Sequence, residues 1–275
     1  MKQLTVFGFG LVGASLAAAV REASPEVRLI AVDVPAVIHS EAARRFADEL
    51  IDNSDRSRVR AAAEASDLCV LAAPVSVIAA ELPALLEYAP IVTDCGSTKQ
   101  SICQAAARSS RQARFVPGHP MAGGPEGGAG QARADLFRGH TWLICPENSA
   151  PDAVAAVEAL IALAGASCVS IDAAAHDRAV AYTSHAPQVL ASALAVLAAR
   201  AGAGFAAGPA FRGTTRSAGG AEVMWRDIFT ANAGEVSRVL RQLSAELDAV
   251  ATGLEASPVD TSVALALLAE ARKVR

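Results

Sequence analysis

The sequence has few aromatic residues and little net charge, and both shortages exclude classes of function. Aromatic residues make up 4% of the 275 residues, and the formal net charge is −4. A mildly acidic chain without a lysine or arginine block has no electrostatic footprint for nucleic acid or for an anionic membrane surface. So few aromatic side chains also argue against a base-stacking platform. We therefore expect a small-molecule ligand.

Cysteine is too sparse and too irregularly spaced for a structural framework. The number of cysteines is odd, and no two of them form a C-x-x-C pair. They occupy positions 69, 95, 103, 145 and 168. A disulfide scaffold and a zinc site are therefore not expected, and unpaired thiols are typical of the reducing cytoplasm.

No uncharged stretch has the pattern of a membrane span. The stretch 3–20 is broken by three glycines, and the stretch 179–199 carries a polar cluster between Tyr182 and Gln188. Lipid would penalise such groups, whereas a buried helix beside a ligand site would use them. With 52% apolar and 19% charged residues, the composition is that of a globular protein with ample core.

Short apolar runs alternate with helical segments over the first half of the chain. The predicted strands are 4–7, 27–32, 68–72, 91–93, 115–116 and 142–144. The predicted helices between them are 11–21, 36–49, 58–65, 77–86 and 100–108. Continuous apolar runs are typical of strands buried on both faces, so the alternation predicts an α/β Rossmann-type parallel sheet with helices on both faces.

The pattern changes near Asp172. A helix over 152–163 and a strand over 168–171 precede this point. Only helical segments follow it, and they cover 176–200, 221–254 with possible breaks, and 261–273. The sequence therefore predicts two domains, an α/β domain over 1–172 and an all-α domain over 173–275.

A glycine-rich loop, GFGLVG, directly follows the first predicted strand and opens a helix. In a dinucleotide-binding loop, Gly8 would allow the tight turn, Gly10 would let the backbone approach a pyrophosphate, and Gly13 would let the helix pack closely on the strand. The pyrophosphate would lie at the start of the helix, near Leu11 and Val12, where free N–H groups favour an anion.

Asp33 ends the second predicted strand, twenty residues after Gly13. Its carboxylate would accept hydrogen bonds from the ribose hydroxyls and repel a 2′-phosphate, which favours NAD over NADP as the cofactor. Pro74, just after the predicted strand 68–72, is assigned to the same cofactor site. The alternative interpretation is a structural turn followed by an unrelated aspartate.

Two further predicted strands end in unusual sequences. One runs into DCGSTK at 94–99, and the other runs into PGHPMAGGPE at 117–126. Ligands of doubly wound sheets bind beyond the carboxyl ends of the strands. Ser97 and His119, which follow two such ends, could therefore meet at the nicotinamide.

With these motifs, the sequence resembles the prephenate/arogenate dehydrogenases of tyrosine biosynthesis. The matching segments, in the family's order, are DCGSTK at 94–99, GHPMAG at 118–123, TSHAP at 183–187, FRGTTR at 211–216 and MWRDIF at 224–229. The resemblance implies an NAD-dependent oxidoreductase that oxidatively decarboxylates prephenate or arogenate to 4-hydroxyphenylpyruvate or tyrosine. It also implies a helical C-terminal domain that forms a homodimer.

The resemblance assigns roles to individual residues. It makes His119 the catalytic base, while Ser97 helps to place that histidine and the nicotinamide. Arg216 would bind the ring carboxylate of the substrate, and His185 matches a histidine of the substrate pocket. A neutral imidazole suits a base near pH 7, and a planar guanidinium suits a carboxylate. Four alternatives remain open. Ser97 could merely cap a helix starting at Thr98, and His185 could be a satisfied core histidine. His119 could be a loop histidine satisfied by the backbone, and Arg216 could pair with a surface carboxylate.

Three positions depart from the family pattern where the side chain of the substrate should lie. Gln188 stands where many relatives have histidine, Gly213 stands where many have aspartate, and GPEGG occupies 124–128. Glu126 is a candidate partner for the ammonium group of arogenate, and Gln188 can donate or accept a hydrogen bond. Together with Gly123 they form the predicted side-chain site. This favours arogenate, alone or beside prephenate, with 4-amino-4-deoxyprephenate as an alternative substrate.

Two other classes of function are less consistent with the sequence. A β-hydroxyacid or imine oxidoreductase with the same two-domain plan generally needs a lysine in the second domain, and no lysine lies between Lys99 and Lys273. A non-enzymatic NAD-binding module would bind the cofactor without turnover, and the presence of His119 and Arg216 argues against it. No metal is expected, because aromatisation of the ring drives the reaction and no metal-ligand cluster is evident.

Several polar residues in and around the motifs are interpreted as structural. Lys99 and Arg212 are expected to be structural or solvent-facing, Trp225 to be a packing residue, and Arg226 and Asp227 to form an internal ion pair. The remaining histidines, which have no assigned role, are His39, His140 and His176.

Overall fold

The computed structural model describes residues 1–124 and 126–274 and is built around a six-stranded sheet. The strands are β1 (Gln3–Phe7), β2 (Arg28–Asp33), β3 (Glu49–Asp52), β4 (Leu68–Leu71), β5 (Val92–Asp94) and β6 (Phe115–Val116). Their order is β3-β2-β1-β4-β5-β6, and all neighbours are parallel. The strand order reverses between β1 and β4, so a crevice opens at the carboxyl ends of these strands. The predicted α/β Rossmann-type class is confirmed.

Helices cover both faces of this sheet. They are α1 (Leu11–Ala23), α2 (Pro35–Ile38), α3 (Glu41–Phe46), α4 (Arg56–Ala65), α5 (Val75–Leu86), α6 (Gln100–Ala106) and α7 (Pro151–Leu163). On one face α1 and α7 pack around the buried rings of Phe137 and Trp142. On the other face α5 and α6 contribute Ile78, Leu82 and Ile102 to a second apolar cluster.

A small mixed sheet follows the main one along the chain. Its strands are β7 (Gly118–Pro120), β8 (Thr141–Ile144) and β9 (Ser167–Ser170), with β7 antiparallel to β8 and β8 parallel to β9. His119 is the middle residue of β7 and pairs with Leu143. The sequence analysis missed β7, because three residues that include glycine and proline read as a loop.

The rest of the chain is helical, and the all-α half of the predicted fold class is confirmed. The helices are α8 (Ala173–Val180), α9 (Ala186–Arg200), α10 (Pro209–Thr214), α11 (Glu222–Ala231), α12 (Ala233–Glu255) and α13 (Ser262–Lys273). A π-helical turn, Ala181–His185, joins α8 to α9. Short 3₁₀ turns lie at Gln112–Arg114, Ala129–Gln131 and Ala203–Ala206. The small core of this part contains Ala181, Ala186, Val236 and Val239.

The single helix predicted over 36–49 is wrong. The structure has two short helices there, and Glu49 already belongs to β3. Ser40 separates the two helices, since it adopts an extended conformation and its side chain accepts a hydrogen bond from the Ala43 N–H. A serine that caps a new helix in this way ends the preceding one.

Candidate active site

The loop after β1 has the shape of a dinucleotide cradle. Gly8 adopts a φ of +89°, and a Cβ there would lie 2.4 Å from the carbonyl oxygen of Ala72. A Cβ on Gly13 would lie 2.0 Å from the carbonyl oxygen of Gly8, whereas a Cβ on Gly10 would meet no described atom within 4 Å. Packing therefore requires glycine at two positions, and the third leaves open space at the start of α1.

Asp33 is the last residue of β2 and is fixed against this loop. Its carboxylate accepts hydrogen bonds from the N–H groups of Phe9 and Val34, both at 2.6 Å. Helix α1 begins without a side-chain cap and without an acidic residue in its first turn. The N–H groups of Leu11 and Val12 are thus available to a phosphate, since the first turn of a helix has no intrahelical acceptors for them. These residues fit a dinucleotide.

The segment between β4 and α5 lies beside the glycine loop and also contacts the helical part of the chain. Pro74 is the N-cap residue of α5. Two residues further on, the backbone N–H and the hydroxyl of Ser76 donate to Asp227 of α11, at 3.2 and 2.5 Å. The expected ion pair between Arg226 and Asp227 is wrong, because Arg226 pairs with Glu222 at 2.7 Å.

A buried ion pair holds the backbone just before His119. Lys99 and Asp94 are both fully buried and hydrogen-bonded to each other. Lys99 Nζ also donates to the carbonyl oxygen of Gly118 at 2.6 Å, and Asp94 Oδ1 accepts from the Gly118 N–H at 2.9 Å. The N–H of Gly96 satisfies the other oxygen of Asp94 at 2.8 Å. Because both partners have further hydrogen bonds, the pair fixes the geometry of β7 at its first residue.

Behind His119, two further side chains form a series of hydrogen bonds. His119 Nδ1 is 2.9 Å from His176 Nε2, and His176 Nδ1 is 2.8 Å from Asp177 Oδ1. His176 and Asp177 are fully buried, whereas His119 is half-buried. Asp177 also accepts hydrogen bonds from the backbone N–H groups of Lys99 and Gln100, at 2.7 and 2.9 Å. In the described part of the chain, nothing hydrogen-bonds to His119 Nε2, which is free for a substrate.

The surroundings of His119 keep its ring neutral. Burial, followed by the neighbouring His176, Lys99 and His185, holds the pKa of His119 well below 6.5. Burial alone would raise the pKa of Asp177, but its hydrogen bonds to His176 and to two backbone N–H groups bring this pKa below the usual value. At neutral pH the site therefore contains an unprotonated imidazole and an ionised carboxylate.

His185 ends the π-helical turn and is buried. Asn232 Nδ2 lies 3.2 Å from His185 Nδ1 and donates to the carbonyl oxygen of Asp177 at 2.8 Å. Burial chiefly lowers the pKa of His185 to about 4, so the ring is neutral. If Nδ1 accepts from the amide, the proton lies on Nε2, and His185 presents a neutral N–H donor. The ring meets Trp225 edge-on, with centroids 6.1 Å apart.

Gln188 and Trp225 lie under the turn that follows Arg216. A Cβ on Gly220 would lie 2.3 Å from Trp225 Nε1 and 3.5 Å from Gln188 Nε2, so the turn packs directly on both side chains. Gln188 is buried, and Arg216 is exposed. Arg216 forms no ion pair within residues 1–124 and 126–274, and no hydrogen bond there joins it to His119.

Ser97 is half-buried, and no hydrogen bond joins its hydroxyl to His119 within the described residues. The alternative that Ser97 caps a helix starting at Thr98 is wrong. Helix α6 begins at Gln100, and the carboxylate of Asp177 accepts the N–H groups at its start.

Glu126 and Gly123 lie near the start of α1. Together with Leu11 of α1 they line a cleft of about 270 Å³. Glu126 is exposed and accepts a hydrogen bond from Gln131 Nε2 at 2.8 Å. Pro125, which the sequence analysis included in the GPEGG segment, lies outside the described residues.

From the sequence, no role was assigned to His176, and Asp177 and Asn232 were not recognised as site residues. The sequence did contain a signal for His176 and Asp177. Four positions of α8, namely 173, 176, 177 and 180, are buried, which is the i, i+3, i+4, i+7 spacing of one helix face. A histidine and an aspartate on the buried face of a helix need polar partners, and they point to a site.

Two family models match the chain. Residues 16–170 match the model described as prephenate dehydrogenase, nucleotide-binding domain. Residues 172–267 match prephenate dehydrogenase, dimerization domain. The chain belongs to the prephenate dehydrogenase family. The resemblance found in the motifs is thus confirmed.

Curated relatives and solved structures agree with this family. The chain is 30% identical to prephenate dehydrogenase of Bacillus subtilis, over 90% of this chain and 69% of the relative. It is 28% identical to cyclohexadienyl dehydrogenase of Zymomonas mobilis, over 94% of this chain and 90% of the relative. The structure of Synechocystis arogenate dehydrogenase is 28% identical in sequence and matches with a TM-score of 0.74. The match covers 92% of this chain and 91% of the Synechocystis protein. The fold also matches A. aeolicus prephenate dehydrogenase in complex with hydroxyphenyl propionate and NAD⁺, with a TM-score of 0.87 at 22% identity. This match covers 100% of this chain and 98% of the A. aeolicus protein.

Among the described residues, no group of three or more histidine, cysteine, aspartate or glutamate side chains is placed to hold a metal ion. No helix in that part of the chain combines the length and the apolar character needed to cross a membrane.

Proposed function

We propose that this family member oxidatively decarboxylates prephenate, arogenate or both with NAD⁺, giving 4-hydroxyphenylpyruvate or tyrosine. We assign dinucleotide binding to residues 1–172, and substrate binding and dimerisation to residues 173–275. The observation that carries the proposal is His119 on β7, a half-buried neutral imidazole whose Nε2 is free. It follows a glycine that is tied to the end of β5, at the same carboxyl edge of the sheet as the glycine loop.

In this proposal, His119 Nε2 accepts the proton of the C4 hydroxyl of the substrate while C4 gives up a hydride. NAD⁺, when bound, supplies the hydride acceptor. The bond between the ring and its carboxylate then breaks, carbon dioxide leaves, and the electron pair makes the ring aromatic. The phenolic oxygen recovers its proton from His119. A positioned base of this kind contributes about 10²–10⁴-fold to the rate.

The proposed cofactor contacts are those of the glycine loop. Gly8, Gly10, Leu11, Val12 and Gly13 form the pyrophosphate cradle. Its neighbours in the site are Asp33, Pro74 and Ser97. The fixed carboxylate of Asp33 supports NAD over NADP, because a 2′-phosphate would be repelled by its charge.

The proposed substrate contacts come from both parts of the chain. Arg216 would bind the ring carboxylate, and its exposed guanidinium has no competing ion pair among the described residues. His185 would donate from Nε2. Gln188, Gly123 and Glu126 would face the side chain of the substrate, with Glu126 pairing with the ammonium group if the substrate is arogenate. The same groups would also admit 4-amino-4-deoxyprephenate.

We also propose a homodimer in the cytoplasm. Residues 172–267 match the dimerization domain of the family, and apolar side chains are exposed on the C-terminal helices. The five cysteines are free, as is usual for proteins of a reducing compartment.

The proposal is tested by steady-state kinetics with prephenate, arogenate and 4-amino-4-deoxyprephenate, each with NAD⁺ and with NADP⁺. We expect turnover of prephenate or arogenate with NAD⁺ and much less with NADP⁺. Turnover of none of the three substrates would overturn the proposal.

Arg216→Ala tests the carboxylate contact. Losing one partner of a desolvated charge pair costs about 2–4 kcal/mol, so the KM of the substrate should rise about 30- to 1000-fold. Arg212→Ala removes an exposed arginine from the same segment and serves as the matched control. Equal KM values in the two variants would reject the role of Arg216.

A further inference from the structure

With one proton on each imidazole, the hydrogen bonds behind His119 have one consistent direction. An ionised carboxylate only accepts, so the 2.8 Å contact with Asp177 requires a proton on His176 Nδ1. When His176 carries only this proton, its lone pair lies on Nε2. The 2.9 Å contact with His119 therefore requires a proton on His119 Nδ1. This leaves the lone pair of His119 on Nε2, the atom that is free toward the substrate.

Asp177, the last residue in this series of hydrogen bonds, is firmly held. The carboxylate of Asp177 accepts the N–H groups of Lys99 and Gln100 at the start of α6, and its backbone oxygen accepts from Asn232 Nδ2. Helix α8 therefore cannot shift relative to α6 without breaking these hydrogen bonds. Since His176 is the adjacent residue, its ring is fixed as well.

Among the described residues around His119, one acidic group is left to balance a charge on the ring. The charged and titratable groups around the ring are His176 and Asp177 from α8, Lys99 and Asp94 near the end of β5, and His185 from the π-helical turn. Lys99 is already paired with Asp94. Asp177 is thus the remaining carboxylate, and it reaches His119 through His176.

We propose that His176 and Asp177 are positioning residues that set the tautomer of His119 and carry the charge after it takes the proton of the substrate. This inference rests on the proposed function. The hydroxyl proton binds Nε2 of His119, and the proton on its Nδ1 moves toward Nε2 of His176, so the positive charge lies beside the carboxylate. When the phenolic oxygen recovers a proton, both shifts reverse, and no proton is gained or lost.

Two replacements of His176 separate this role from packing. In His176→Asn the amide NH₂ can take the place of Nδ1–H and donate to Asp177, but the side chain is too short to accept from His119. In His176→Gln the carbonyl oxygen can take the place of Nε2 and accept from His119. His140→Asn, at an exposed position, is the control.

We expect kcat of His176→Asn to fall about 10- to 100-fold, as when a group that orients a functional histidine is lost, with the KM for NAD⁺ unchanged. His176→Gln should recover part of this loss, and the control should match the wild-type enzyme. A purely structural role predicts equal losses in the two His176 variants, and equal losses or an unchanged kcat would overturn the proposal.

A second measurement does not depend on turnover. In ¹⁵N-histidine NMR spectra of the wild-type protein at neutral pH, His119 should carry its proton on Nδ1, with its signals identified by their absence in His119→Asn. In His176→Asn the Nε2-protonated form should gain population. A wild-type His119 protonated on Nε2 would refute the inference even if the enzyme is active, whereas an inactive wild-type enzyme with the Nδ1 tautomer would refute only the proposed function.

Discussion

At the scale of single residues, burial and charge decide what His119 can do. The ring is half-buried, and Lys99 lies close enough to disfavour a second positive charge. A histidine in such a place stays neutral below the pH at which a free histidine takes up a proton. A base is useful only while it is unprotonated, so the same surroundings that lower its pKa widen the pH range of its action.

The pH dependence of kcat/KM should show this shift. Because the pKa of His119 lies well below 6.5, the rate should stay level as the pH falls to 6.5 and decline only at lower pH. His119→Asn should bind NAD⁺ normally and lose about 10²–10⁴-fold in kcat. NAD⁺ titration by fluorescence and steady-state rates from pH 4.5 to 9 provide the measurement. An acid limb centred at or above 6.5 would contradict this account, and so would normal turnover in the variant.

At the scale of elements, one carboxylate links the helical part of the chain to the sheet. Asp227 on α11 accepts both the N–H and the hydroxyl of Ser76 in the first turn of α5. Free N–H groups at a helix start need an acceptor, and a carboxylate there is also favoured by the helix dipole. The contact lies next to the β4–α5 segment that borders the glycine loop.

Removing this cap should cost stability. Asp227→Ala should lower the free energy of unfolding by about 1–2 kcal/mol, which is typical of a lost helix cap. Glu222→Ala removes the exposed partner of Arg226 one turn earlier on the same helix and should cost at most about 0.5 kcal/mol. Urea denaturation of the wild-type protein and of the two variants measures both changes in the free energy of unfolding. Equal midpoints for the two variants would show that the Ser76 contact adds no stability.

At the scale of the whole molecule, the C-terminal helices expose many large apolar side chains. Leu265 and Leu268 of α13 are 59% and 56% exposed, and Leu197 of α9 is 62% exposed. Apolar surface gathered on one part of a chain is usually covered by a partner. The match of this part to a dimerization domain supports the proposed second copy of the chain as that partner.

Charges on this surface should break the proposed dimer. The double variant Leu265→Glu and Leu268→Glu would place two carboxylates in an apolar interface, so we expect a monomer in sedimentation velocity experiments. Val169→Glu changes an exposed apolar residue of β9 and should leave the dimer intact. A double variant that still sediments as a dimer would exclude α13 from the interface.

Local signals account for what the sequence determined by itself. The buried strands, the glycine loop and the aspartate that ends β2 are set by apolar runs and by residue types at short spacing, and each is where the pattern indicates. The helix predicted over 36–49 failed because a single cap at Ser40 outweighs a helical pattern. The motifs also led to the correct family.

Only the tertiary structure decided how the parts of the site meet. His119 and His176 are 57 positions apart, and Ser76 and Asp227 are 151 apart, so no periodicity along the chain connects them. Strand β7 forms because β8 pairs with it and the Asp94–Lys99 pair fixes its first residue, not because of its own composition. Hydrogen bonds between distant segments depend on how the elements pack, and packing is a property of the folded chain as a whole.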